Sequence, residues 1–159
     1  MNTVQRHASI IALMAASAAL AAPGDDPSAG AAAAADPVIE KVLAANAQAD
    51  WRRSQALLRE ALGKDPRNAD YHNLYAYAIR KGPDPSLDLV FKHYHEALRI
   101  NPTHRGAHEY IGEAYLMQRN LAKAKEHLDA LDRMCFFGCE EYSMLKKAVA
   151  EFEANSAKK

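Results

Sequence analysis

The sequence predicts an all-α chain built from helical hairpins, and three observations carry that expectation. First, apolar residues recur at three- and four-residue spacing through most of 37–154, the period of a helix rather than a strand. Second, Ala61-Leu62…Asp65-Pro66 returns 36 residues later as Ala97-Leu98…Asn101-Pro102. Each copy marks a helix end, because proline cannot continue a helix. Third, between Arg105 and Arg133 the small residues Gly112 and Ala124 stand where two helices would have to approach closely. A helical glycine costs about 1 kcal/mol relative to alanine, so it calls for a packing reason.

Taken in order, residues 1–21 have the pattern of a secretory signal peptide. Arg6 supplies the positive start, Ile10 to Leu20 an uncharged apolar run, and Ala19-Leu20-Ala21 a small-x-small cleavage site. The cut is expected between Ala21 and Ala22. A membrane anchor would need about 20 apolar residues, more than this run offers. No cysteine follows the run for lipid attachment. The expected location is the periplasm or the exterior, with no stable membrane anchor after cleavage. Residues 22–36, rich in Ala, Pro, Gly and Asp, read as a flexible linker.

Three hairpins and a cap follow. The first spans about 37–66: Asp36 caps a helix that starts at Pro37, Val38, Val42 and Ala45 share its inner face, and Asp50-Trp51 turns the corner. Ser54, Leu58, Ala61 and Leu62 line the returning helix. The second spans about 68–102, with Tyr71, Leu74, Tyr75 and Ala78 on one helix and Leu87, Val90, Tyr94 and Ala97 on the other. Gly82-Pro83-Asp84-Pro85 enforces the turn between them, and Ser86 is the expected cap. The third spans about 103–135, turning at Gln118-Arg119-Asn120. A terminal helix over 140–154 closes the array, with Tyr142, Leu145, Val149 and Phe152 inward and Lys146, Lys147, Glu151 and Glu153 outward; 155–159 is a tail.

In the third hairpin His108, Ile111, Gly112 and Tyr115 fall at offsets 0, 3, 4 and 7, with Ala124 and Leu128 at 16 and 20. This spacing resembles the tetratricopeptide repeat (TPR) signature. The resemblance covers about 37–154, most fully in the third repeat and only in the second half of the first. It implies a right-handed TPR solenoid of three helical hairpins plus a C-terminal capping helix. The ending LDRMCFFGCEEYSMLKKAV is also similar to that of small exported bacterial TPR proteins. Members of that family share a role in binding other proteins, not a chemistry.

Composition excludes little else. The 159 residues carry 20 basic and 20 acidic side chains, so there is no basic footprint for nucleic acid. Cys135 and Cys139, the only cysteines, are spaced C-x3-C. In an exported chain they are expected to form a disulfide stapling the last helix to the third hairpin, a contribution of about 2 kcal/mol in the chain-entropy picture. The alternative is a metal- or redox-handling accessory protein, with His127 or Met134 completing a site on the two sulfurs. Of the other histidines, His93 and His127 occupy equivalent repeat positions, and His104 and His108 are four apart; they read as surface and interface residues.

Catalysis finds no setting: there is no phosphate loop and no H-E-x-x-H, and Glu109 and Glu113 fall on one helix, where they read as a solvated or ligand-facing pair. No cofactor is expected. In TPR proteins the first helix of each repeat lines a concave groove. By repeat position that groove would hold Ile39, Leu43 and Asn46, then His72, Asn73, Ala76 and Arg80, then Glu109, Glu113 and Met117. The family's carboxylate-holding members place Lys, Asn and Arg where this chain has Ile39, Leu43, Asn73, Gly106 and Tyr110, and only Asn73 agrees. The expected partner is another protein or peptide: an apolar segment with a basic or amide-bearing residue at the third-repeat end.

Overall fold

The computed structural model describes residues 36–157, so the predicted signal peptide, the cleavage site at Ala21 and Ala22, and all but the last residue of the linker lie outside the described residues. Among the described residues there are seven helices and no strand: α1 (Pro37–Ala47), α2 (Trp51–Lys64), α3 (Ala69–Lys81), α4 (Leu87–Ile100), α5 (Arg105–Met117), α6 (Leu121–Met134) and α7 (Glu140–Ser156). The chain is all-α in this region. The last helix runs two residues beyond the expected 154.

Local chemistry starts most of the helices. Asp36 Oδ1 accepts from the backbone N–H of Val38 at 2.8 Å and of Ile39 at 3.3 Å, filling donors that a helix N-terminus leaves open. Its other oxygen accepts from the Tyr71 hydroxyl at 2.6 Å, so one carboxylate both caps α1 and ties it to α3. That bond holds the Asp36 carboxyl below its usual range and pushes the Tyr71 phenol up to about 12. Asp50, Asn68, His104 and Asn120 cap α2, α3, α5 and α6 in the same way. Ser86 takes the expected cap position of α4, but its side chain makes no capping bond. The corners before α2 and α6 match: Ala49 and Arg119 both adopt left-handed backbone, at φ 53° and 60°, one residue ahead of Asp50 and Asn120.

Packing links each helix to the next, and α1, α3, α5 and α7 also touch in sequence as a second row. One buried cluster joins Val42, Leu58, Tyr75, Val90, Tyr94 and Ile111 across the first five helices. A second joins Ala124, Leu131, Leu145 and Val149, packing α7 on α6. Ser54 Oγ donates to Asn46 Oδ1 at 2.6 Å, locking α1 to α2. Gln55 Nε2 donates to the Ala78 carbonyl at 3.0 Å, joining α2 to α3.

Gly112 has the packing reason its position called for. A Cβ built there would stand 2.6 Å from Leu145 Cδ2 and 2.8 Å from Cδ1. Leu145 is fully buried, so it has little room to move aside. We expect Gly112→Ala to lose about 1 kcal/mol despite alanine's better helix propensity, because the overpacking outweighs that gain. Urea unfolding followed by circular dichroism reads the shift; an unchanged or higher midpoint would contradict it.

Cys135 and Cys139 are joined by a disulfide, with Cα atoms 5.5 Å apart. Gly138 turns the short loop at φ 84°, a left-handed angle that a residue with a Cβ resists. The closed loop leaves Phe136 and Phe137 87% and 96% exposed.

Candidate functional site

A cleft of about 400 Å³ opens between α3, α5 and α7. Three of the residues expected in the groove line it: Asn73, Glu109 and Glu113. The others lie elsewhere. Leu43 and Met117 are exposed outside it, Ile39 packs half-buried against the first core cluster, and Asn46 is bonded to Ser54. Ala76 is fully buried within that cluster. His72 turns away to the α4 side, where its Nδ1 meets His93 Nδ1 at 2.8 Å. Arg80 is buried just behind the cleft wall rather than lining it.

The cleft also holds residues that the repeat positions did not supply: Tyr77 and Lys81 from α3, and Glu140, Glu141 and Met144 from α7. Tyr110, noted only as a mismatch to the carboxylate-holding pattern, completes the aromatic wall, with its ring centroid 4.8 Å from that of Tyr77. Gly106 forms part of the rim, where a Cβ would crowd the Asn73 amide nitrogen at 3.3 Å.

Behind this wall, Arg80 fixes the charges. Its Nη2 forms an ion pair with Glu113 Oε2 at 2.6 Å, and its Nε donates to the Tyr94 hydroxyl at 3.4 Å. The guanidinium carbon lies 5.6 Å from the Tyr77 ring centroid and 5.8 Å from that of Tyr110. Both separations suit a cation over an aromatic face. Glu113 is therefore spoken for. Glu141 has a longer contact with Arg105 Nε, at 3.6 Å.

Glu109 is different. Of the two readings open for it, solvated or ligand-facing, the structure gives it little solvent: it lines the cleft and is 7% exposed, because the packing of α3 and α7 on α5 covers it. Among the described residues no hydrogen bond or ion pair reaches its carboxyl. Burial, then the neighbouring charges of Glu113 and Glu141, push that carboxyl up to about 7, with Arg80 pulling weakly the other way. Asn73 is 5% exposed, and its Oδ1 has no hydrogen-bond partner among the described residues. Burial and Glu109 together push the Tyr110 phenol up to about 12. The cleft thus presents acceptors, negative charge and aromatic faces, with Lys81 as the cation among its lining residues.

The alternative site on the cysteines has less to build with. Each sulfur is bonded to the other, and among the described residues no three His, Cys, Asp or Glu side chains converge as a metal site. No helix among the described residues is long and apolar enough to cross a membrane. No protein-family model matches the chain, and no curated protein matches it.

Proposed function

We propose that this chain is an exported, non-enzymatic adaptor or assembly factor. Its hairpins stack as a right-handed TPR solenoid, and it holds a segment of another protein against the row formed by α3, α5 and α7. The observation that carries this reading is the cleft itself. Asn73 and Glu109 are both more than nine-tenths buried there; the Asn73 Oδ1 is covered and has no hydrogen-bond partner among the described residues, and the Glu109 carboxyl, which borders the cleft, has no ion-pair partner among them. Buried polar groups are normally satisfied, and a bound segment would supply what they lack. The repeat spacing in the sequence and the second row of α1, α3, α5 and α7 support the solenoid.

The test is site-resolved photo-cross-linking in intact cells. A photoreactive residue at Met144 or Tyr77 is expected to capture a discrete periplasmic protein, and one at exposed Arg59 or Lys92 on α2 or α4 is not. The same mass spectra should place the mature N-terminus at Ala22. Equal capture from both sets, or none from Met144 and Tyr77, would reject the cleft as the binding surface.

A further inference from the structure

The cleft has a chemical preference that its role as a groove does not by itself require. Four carboxylates line it, from Glu109, Glu113, Glu140 and Glu141, against one lining cation, Lys81. Arg80 is committed to Glu113, and Arg105 reaches only Glu141. That leaves Glu109 and Glu140 without an ion-pair partner among the described residues. Acidic residues alone would say little, since they are often simply solvated. Here two independent facts add to them. Glu109 is 7% exposed, at the cleft, and Asn73, on a different helix, brings a covered acceptor with no donor among the described residues. A carboxylate and an amide oxygen both call for N–H donors. An anion or a neutral apolar group would leave both unmet.

We propose that the cleft receives a primary ammonium group, the side chain of a lysine on the bound protein segment, with Glu109 as its counter-ion and the Asn73 amide, turned so that its covered and unpaired Oδ1 meets the ammonium, as a second acceptor. This inference rests on the groove reading above. A lysine fits better than an arginine. The acceptors come singly from α3 and α5 and match three donors around one nitrogen, whereas guanidinium favours a coplanar carboxylate fork. The lysine stem would run along Tyr77, Tyr110 and Met144, which cover its methylenes while the ammonium goes deeper.

Binding should then be linked to protons. Without an added amine, burial and the neighbouring carboxylates push the Glu109 carboxyl up to about 7. The groups facing it are Glu113 on α5, Glu140 and Glu141 on α7, and Arg80, Tyr77 and Lys81 on α3. The lysine stays charged throughout this range. Apparent affinity follows the ionised fraction of Glu109, so it should rise about tenfold between pH 6 and pH 8.

The probes are Nα-acetyl-lysine N-methylamide and its arginine and norleucine counterparts, titrated into the mature protein and followed by amide NMR shifts. The lysine probe should bind at millimolar concentration and shift resonances of α3, α5 and α7. The arginine probe should bind at least fivefold more weakly, and the norleucine probe should give no saturable shift. Glu109→Gln should weaken the lysine probe about tenfold and flatten its pH profile; Glu140→Gln, at an exposed position, offers a second reading that does not touch the core. Equal response to arginine or norleucine, no response to lysine, or no effect of either substitution would overturn the proposal. Cross-linking at Met144 together with an indifferent amine would reject the lysine while leaving the groove reading in place. If cross-linking also fails, both fall.

Discussion

Arg80→Met should lower the stability of the fold by about 3 kcal/mol, the low end of what breaking a buried ion pair costs. The side chain is 6% exposed and makes its contacts with three helices: Tyr77 on its own α3, Tyr94 on α4, and Glu113 and Tyr110 on α5. Methionine preserves most of the volume, so the loss would come from charge rather than from a cavity. Glu113 would then lie near Glu109 with no counter-charge, and the Glu109 carboxyl would rise further, since Arg80 is what draws it down. A second substitution separates the causes. Adding Glu113→Leu to Arg80→Met removes the stranded carboxylate and should restore at least half of the loss, the sign of direct coupling. Urea unfolding of the two single variants and the double measures this. A change within about 0.5 kcal/mol for Arg80→Met alone would show that Arg80 is not the buried tie described above.

The second expectation concerns acid. Two histidine pairs join the helices of the second and third hairpins. His72 Nδ1 and His93 Nδ1 are 2.8 Å apart, and His108 Nδ1 and His127 Nδ1 are 2.9 Å apart. In each pair the remaining nitrogen of the first ring faces a backbone carbonyl: His72 Nε2 to Pro66 at 3.0 Å, His108 Nε2 to Pro102 at 3.1 Å. A carbonyl only accepts, so Nε2 of His72 and of His108 carries the hydrogen. Their Nδ1 atoms are then bare and accept from His93 and His127. A proton added to the first ring of a pair goes to its bare Nδ1, puts a hydrogen on both facing nitrogens and breaks the bond; one added to His93 or His127 goes to Nε2 and leaves the bond in place, so there it is burial and the neighbouring ring that oppose the charge.

Burial, then the charge of its partner, pushes His93 down to about 4; the same causes, with His108 as partner, push His127 down to about 4. Burial also lowers His108. These folded values lie below the unfolded value of about 6.5, so the unfolded chain binds more protons in between. Their contribution is complete above about pH 6.5 and is lost as pH falls toward 4. After discounting for partial exposure, the two pairs together should account for on the order of 2 kcal/mol. Glu109 works in the opposite direction between its ordinary value and 7, because its folded state holds the proton more tightly. Replacing His93 and His127 by Gln isolates the histidine part: urea midpoints between pH 7.5 and 4.5 should fall less steeply than in the parent. An unchanged slope would remove the pairs from the account.

Much of the scaffold was legible because it is local. Asp36, Asp50 and Asn120 mark helix starts through short-range capping chemistry, and Gly112 marked a close approach before its neighbour Leu145 was known. The recurrence of Pro66 at Pro102 also reappears in three dimensions, since each proline's carbonyl holds a histidine 36 residues apart, His72 and His108. The pairing itself was not legible, because equivalence of His93 and His127 does not say what faces them.

The cleft was legible only in part, for a geometric reason. One residue along a helix turns a side chain by about 100°, so an error of one position exchanges a wall for a core. His72 and Asn73 show this: adjacent in sequence, one bonds toward α4 and the other lines the cleft. Likewise Tyr77 and Lys81 face it where Ala76 and Arg80 were expected. Reading α7 only as a cap hid Glu140, Glu141 and Met144, which extend the row of α3 and α5 by one more helix.

The most direct test of the cleft as a cation site is the side-chain carboxyl carbon resonance of Glu109, followed against pH with and without the lysine probe. A midpoint near 7 in the protein alone, falling by a unit or more when the amine is added, is the predicted result. A midpoint in the ordinary glutamate range, unmoved by the amine, would contradict it.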